Sequence, residues 1–116
     1  MSGAPYGMDE DRMTAVAELW RAHAEAPFPS RLTSLDVAGA EMVTLDADVA
    51  GCVSTWLHNG GSVDSRRYDL LAAHERRLER VVAELSGSEA AYYRRLLDMT
   101  VLVLEAVTPS HGRRPR

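Results

Sequence analysis

Two carboxylates lie one residue apart at the end of an apolar segment. Asp46 and Asp48 follow the run Met42–Leu45, and paired carboxylates supply the oxygen ligands that hard cations such as Mg²⁺ prefer. Two enzyme folds that place an Asp-x-Asp pair after an apolar segment need a parallel sheet and far more chain than 116 residues. The pattern also suits a helix start, where a carboxylate accepts hydrogen bonds from free backbone N–H groups. We therefore expect Asp46 or Asp48 to cap a helix, and we predict no metal and no cofactor.

The histidines do not have the spacing of a metal site. None of the four lies within four positions of another, whereas zinc-binding histidines on one helix are three or four positions apart. His74 falls among the apolar residues of the longest predicted helix, which predicts a buried side chain. Such a histidine is a core residue with one hydrogen bond, a ligand-pocket group or part of a pH-sensitive contact. If the chain has a binding pocket, we expect it to be near Asp46, Asp48, Trp56 and His74.

Cys52 is the only cysteine of the chain. An intramolecular disulfide and a multi-cysteine zinc or iron–sulfur site are therefore excluded. Cys52 lies on the predicted buried face of the second helix, early enough for the helix N-terminus to lower the pKa of its thiol. Buried cysteines are more often structural than reactive. The sequence therefore predicts no catalytic residue.

Charge and composition exclude several function classes. The chain contains 13 arginines and no lysine. A P-loop lysine, a Schiff-base nucleophile and a pyridoxal anchor are therefore absent. The net charge of −4 makes an Arg-mediated nucleic-acid binder the least favoured function. The first 25 residues lack an apolar signal sequence, and the longest apolar run, Met99–Leu104, is too short to cross a membrane. We expect a cytoplasmic protein.

Hydrophobic periodicity predicts a mainly α protein with four helices. Apolar residues recur at helical spacing in four segments, which Pro, Gly and Asn residues separate. The last two helices should form an antiparallel hairpin because only two or three residues connect them. The predicted helices cover 9–26, 48–59, 64–85 and 88–107. They form a single domain over 9–108, between a flexible N-terminus (1–8) and a basic disordered tail (109–116).

Residues 30–45 lack a helical period. Ala38-Gly39-Ala40 could be the turn of a small hairpin, and an ordered loop is the alternative. Within this region, Glu41–Leu45 is the stronger candidate for a short extended segment.

The last predicted helix has more apolar surface than one face. Met99–Leu104 is apolar nearly all round, and Tyr92-Tyr93-Arg94-Arg95 adds aromatic and Arg residues, which are enriched at protein interfaces. We therefore expect self-association, most simply as a two-fold homodimer. The alternative is that helix 9–26 and residues 28–45 cover this helix within one chain. The predicted interface residues are Tyr92, Tyr93, Met99 and Leu102.

One segment carries a resemblance to known sequences. Leu45–Leu57, which reads Leu-Asp-Ala-Asp-Val-Ala-Gly-Cys-Val-Ser-Thr-Trp-Leu, and the following Gly60-Gly61 resemble a group of small proteins from G+C-rich actinobacteria. The likeness extends over about 19–106, and it implies neither an activity nor a set of site residues.

The sequence favours a small protein-interaction module. The alternative is a small-ligand binder or a modest enzyme.

Overall fold

The computed structural model describes the backbone of residues 4–112 and the side chains of residues 10–106. As the hydrophobic periodicity predicted, the fold is mainly α and has four helices. It also contains a small two-stranded hairpin. The helices are α1 (Ala4–Glu25), α2 (Met42–His58), α3 (Ser65–Glu84) and α4 (Gly87–Gly112). A 3-10 turn (Ser30–Leu32) and two strands, β1 (Asp36–Val37) and β2 (Ala40–Glu41), connect α1 to α2.

The two terminal helices are longer than predicted. α1 begins at Ala4, five residues before the predicted start of the first helix. α4 continues past Pro109 to Gly112, beyond the predicted end at residue 107. Residues 113–116 of the predicted tail lie outside the described residues.

Residues 36–41 form a tight β-hairpin. Asp36 pairs with Glu41, and Val37 pairs with Ala40. The two connecting residues, Ala38 and Gly39, have φ values of 51° and 81°, which is the pattern of a two-residue type I′ turn. Of the two alternatives that the sequence left open, hairpin or ordered loop, the structure has the hairpin. Ala38 is strained there, since its Cβ disfavours positive φ.

The prediction of an extended segment over 41–45 is wrong beyond Glu41. Glu41 is the N-cap of α2, and its carboxylate accepts hydrogen bonds of 3.0 Å from the backbone N–H groups of Val43 and Thr44. Glutamate is not a usual N-cap residue, and two β-branched residues follow it, so the pattern favoured a strand. Because α2 begins at Met42, Asp46 and Asp48 lie inside the helix and do not cap it.

α3 and α4 form the predicted antiparallel hairpin. Only Leu85 and Ser86 separate them, and they pack on each other more extensively than any other pair of elements. Asp64 caps α3, because its carboxylate accepts a hydrogen bond of 2.8 Å from the backbone N–H of Arg67. The predicted third helix also began at this residue.

α4 lies in the centre of the fold and contacts the other three helices. Tyr93 and Met99 are completely buried, and Tyr92 is buried as well. The ring of Phe28 contacts both tyrosines, and the hydroxyl of Tyr93 donates to the carbonyl of Met42 at 2.7 Å. The prediction that these side chains form a dimer interface is therefore wrong, because α1 and residues 28–45 cover them within the chain. Leu102 is only partly buried.

A buried polar cluster joins three helices. The carboxylate of Asp46 on α2 lies 2.7 Å from His23 Nε2 on α1, and it accepts a hydrogen bond of 2.7 Å from the hydroxyl of Tyr92 on α4. Burial, and then the hydrogen bond to Asp46, raise the pKa of Tyr92, so the phenol stays protonated and donates. Hydrogen bonds to an ionised carboxylate are stronger than neutral ones. The cluster therefore ties α2 to α1 and to α4.

Asp46→Asn should lower the free energy of unfolding by about 1–3 kcal/mol, since an amide offers one oxygen to two donors and turns an N–H group toward one of them. Combined with Tyr92→Phe, its effect should be less than additive, because the two changes remove the same hydrogen bond. Urea unfolding followed by circular dichroism measures both effects. Strict additivity would show that the two side chains do not interact.

Candidate ligand-binding site

The residues predicted to surround one pocket lie in three separate places. Asp46 belongs to the buried cluster between α1 and α4, and Trp56 is buried beside Gly61 near the end of α2. Only Asp48 and His74 come together. Residues i and i+2 of an α-helix point roughly 200° apart around its axis, so Asp46 and Asp48 face opposite neighbours.

His74 is the floor of a depression bordered by the hairpin, α2 and α3. The depression has a volume of about 270 Å³. The side chain of His74 is 8% exposed, whereas that of Asp48 is 44% exposed, and Arg77 is also exposed. A buried imidazole therefore lies beneath two exposed side chains of opposite charge. The other lining residues are Gly39, Ala40, Glu41, Thr44 and Leu45.

Hydrogen bonding determines which nitrogen of His74 carries the proton. Arg77 Nη1 lies 3.3 Å from His74 Nδ1. A guanidinium can only donate, so Nδ1 accepts and the proton of the neutral ring is on Nε2. Burial and the charge of Arg77 lower the pKa of His74 from its ordinary 6.5, although Asp48 opposes this. Near neutral pH, His74 is therefore uncharged with a proton on Nε2.

The Nε2–H group of His74 has no acceptor at hydrogen-bond distance. The carboxylate oxygen Oδ2 of Asp48 is 3.6 Å away, beyond the usual range for an N–H···O bond. Nε2 is buried, and it has no partner in the part of the chain that the structure describes. A buried donor without an acceptor costs about 1–3 kcal/mol. The Nε2–H group of His74, next to Asp48, is therefore an unsatisfied hydrogen-bond donor.

Glu41 is not available to a ligand, because α2 uses its carboxylate. The hydroxyl of Thr44 donates to it, in addition to the two backbone N–H groups at the helix start. These hydrogen bonds lower the pKa of Glu41. Among the residues that line the depression, Asp48 remains as the available carboxylate and Arg77 as the available cation.

The arrangement does not suit a metal ion. A metal needs the lone pair of a ring nitrogen, but Nε2 of His74 carries a proton and Nδ1 accepts from Arg77. The guanidinium of Arg77 would also repel a cation. Moreover, no group of three or more His, Cys, Asp or Glu residues within the described ranges could hold a metal ion. The depression is better suited to an organic molecule.

Sequence reasoning missed Arg77 and the hairpin residues of this site. The available signal was the i, i+3 spacing of His74 and Arg77, which places the two side chains on one helix face. The hairpin gave no comparable signal. Its residue Gly39 lines the depression but has no side chain that could indicate a site. The strained residue Ala38 lies beside Gly39, and unusual backbone conformations concentrate at functional sites.

Cys52 takes no part in the depression. It is buried, and burial raises the pKa of its thiol. Because α2 begins at Met42, Cys52 lies in the middle of the helix rather than near its N-terminus. The alternative that the helix N-terminus lowers its pKa is therefore not met, and the buried side chain agrees with the structural role that the sequence favoured.

Comparisons with protein-family models, curated proteins and solved structures find no match to this chain. None of the helices described is long and apolar enough to cross a membrane. The evidence for function therefore comes from the geometry of the site.

His74→Leu should raise the free energy of unfolding by about 1 kcal/mol or more near pH 7.5, since it removes a buried donor that has no acceptor. Asp48 and Arg77 are exposed and stay hydrated. The variant should also lose part of the pH dependence. As the pH falls below 6.5, the unfolded chain binds a proton at His74 that the folded chain resists, so the wild type becomes less stable.

Urea unfolding of both proteins at about pH 7.5 and about pH 5.5 tests this. The stability difference should favour the leucine variant more strongly at the lower pH. A loss of stability in the variant at the higher pH would show that His74 makes a hydrogen bond that the fold requires.

Proposed function

We propose that this protein binds a small polar molecule in the depression above His74. The observation that carries the proposal is the buried Nε2–H of His74, which faces Asp48 Oδ2 across 3.6 Å without a hydrogen-bond acceptor. An apolar side chain would be more stable at this position. Unsatisfied buried polar groups of this kind are expected at functional sites, where a ligand completes them.

The state of His74 supports binding rather than catalysis, and the size of the depression limits the ligand to a small molecule. Its volume of about 270 Å³ lies at or below the small end of known ligand pockets, which are roughly 300–1,000 Å³. A general base must accept a proton. Nε2 of His74 already carries one, and Nδ1 accepts a hydrogen bond from Arg77.

A screen of small polar compounds by ¹H–¹⁵N NMR tests the proposal. At least one compound should shift the backbone resonances of Gly39, Thr44 and Arg77 in a saturable way. The same compound should bind at least about tenfold more weakly to His74→Leu, because a hydrogen bond from a buried donor is lost. His58→Leu is the matched control, since His58 is exposed and lies outside the depression. Equal binding to the wild type and His74→Leu would contradict the proposal.

A second candidate function is protein interaction, and a different groove supports it. The groove lies between residues 26–31 and the first half of α4, has a volume of about 670 Å³ and includes Phe28 and Tyr92 in its lining. Arg31 is held by two hydrogen bonds of 2.7 and 2.6 Å to Glu89. Arg95 Nη1, in contrast, is buried without a hydrogen-bond partner. These features suit an acidic segment of a partner protein, whose carboxylate would pair with Arg95.

Fluorescence anisotropy with a labelled peptide that contains glutamate and tyrosine tests this second function. Arg95→Gln should weaken binding about tenfold, since a charge-assisted hydrogen bond is lost. Arg94→Gln is the control, because Arg94 is exposed and does not line the groove. Equal losses in both variants would indicate general charge attraction and contradict a specific site.

The predicted homodimer would be the case in which a second copy supplies the acidic segment. Sedimentation equilibrium separates this case from a different partner: a mass of 12.8 kDa at all concentrations would exclude the homodimer. Both candidate functions fit the cytoplasmic location that the sequence predicted, which remains part of this proposal.

A further inference from the structure

We infer that the ligand of the depression is a small hydroxy acid, a molecule with one hydroxyl and one carboxylate group. This inference rests on the proposed function and names its ligand class. It follows from the donors and acceptors that His74 presents on its two sides, together with the charges of Asp48 and Arg77.

A group that bridges His74 and Asp48 from the side of the depression must accept one hydrogen bond and donate another. Nε2–H of His74 is a donor, and the ionised carboxylate of Asp48 is only an acceptor. An ammonium group has no lone pair for His74, and a carboxylate has no proton for Asp48 and would be repelled by it. A hydroxyl group has both, and the 3.6 Å between Nε2 and Oδ2 is too long for the two to satisfy each other directly.

The second group of the ligand is determined by Arg77. One of its nitrogens, Nη1, donates to Nδ1 of His74, and a guanidinium has five N–H donors in total. Its remaining N–H groups are therefore available at the rim of the depression, which Arg77 lines. A planar fork of donors with a positive charge is suited to a carboxylate.

The imidazole keeps the two charged side chains apart. Asp48 lies on the Nε2 side of the ring and Arg77 on the Nδ1 side, so the two charges do not pair with each other. The other carboxylate in the lining, Glu41, is occupied by the start of α2. A ligand that places a hydroxyl near Asp48 and a carboxylate near Arg77 therefore meets an available partner for each group.

A series of matched compounds tests the inference by NMR titration of the full chain. Glycolate, 3-hydroxypropionate and 4-hydroxybutyrate carry the two groups at increasing separation. Acetate, propionate and butyrate lack the hydroxyl, the diols of matching length lack the carboxylate, and glycine and β-alanine replace the hydroxyl by an ammonium. At least one hydroxy acid should bind about ten- to a hundredfold more tightly than its matched analogues, since each lacks one hydrogen bond with a charged group.

Two variants assign the two ends of the ligand. Asp48→Ala should reduce the affinity for the hydroxy acid toward that for the plain acid, leaving the contribution of the hydrogen bond from His74, and it should not weaken binding of the plain acid. Arg77→Gln should reduce the affinity to that for the diol without weakening the diol. Arg76→Gln is the control, since Arg76 is exposed on the same helix and does not line the depression. All three residues are exposed, so the fold should persist, which circular dichroism checks.

The outcomes separate the ligand class from the existence of the site. If plain acids or amino acids bind as tightly as the hydroxy acids, the hydroxy-acid inference is overturned and the site stands. If no hydroxy acid binds but other compounds from the NMR screen do, the same conclusion holds. If nothing binds, both the inference and the proposed function are wrong.

Discussion

The position of α2 depends on the carboxylate of Asp46. This group accepts from Tyr92 on α4 and contacts His23 on α1, each at 2.7 Å, and together with the buried apolar residues of α2 it fixes the rotation of that helix about its own axis. Since Asp48 points away from Asp46 on the same helix, the rotation that turns Asp46 inward turns Asp48 toward α3. The candidate site thus exists because a structural carboxylate two residues away is held in the core.

The start of α2 is the second constraint on the site. Glu41 ends the hairpin and begins the helix, so the hairpin turn is held against the first turns of α2. This junction places Gly39 and Ala40 opposite His74. It also occupies Glu41, which leaves Asp48 as the carboxylate that a ligand can use. The same local contacts therefore shape the depression and determine its charges.

The central place of α4 explains the apolar character that suggested a dimer. A helix that is apolar nearly all round must be covered on most sides, and α4 is covered by the other three helices. Tyr93 and Met99 fill the core instead of an interface. Leu102, from the same apolar segment, is only partly covered.

The sequence by itself determined the helical class, the number of helices, the α3–α4 hairpin and the burial of His74 and Cys52. These features depend on apolar spacing, on turn residues and on a short connection, all of which act locally. The start of α2 was missed because an atypical cap, Glu41, overrode the strand preference of Val43 and Thr44. Only the tertiary structure decided that Asp46 and Asp48 have different neighbours and that Arg77 completes the site with Asp48 and His74. Such contacts join residues far apart in the chain, and they depend on the rotation of each helix, which packing sets and local pattern does not.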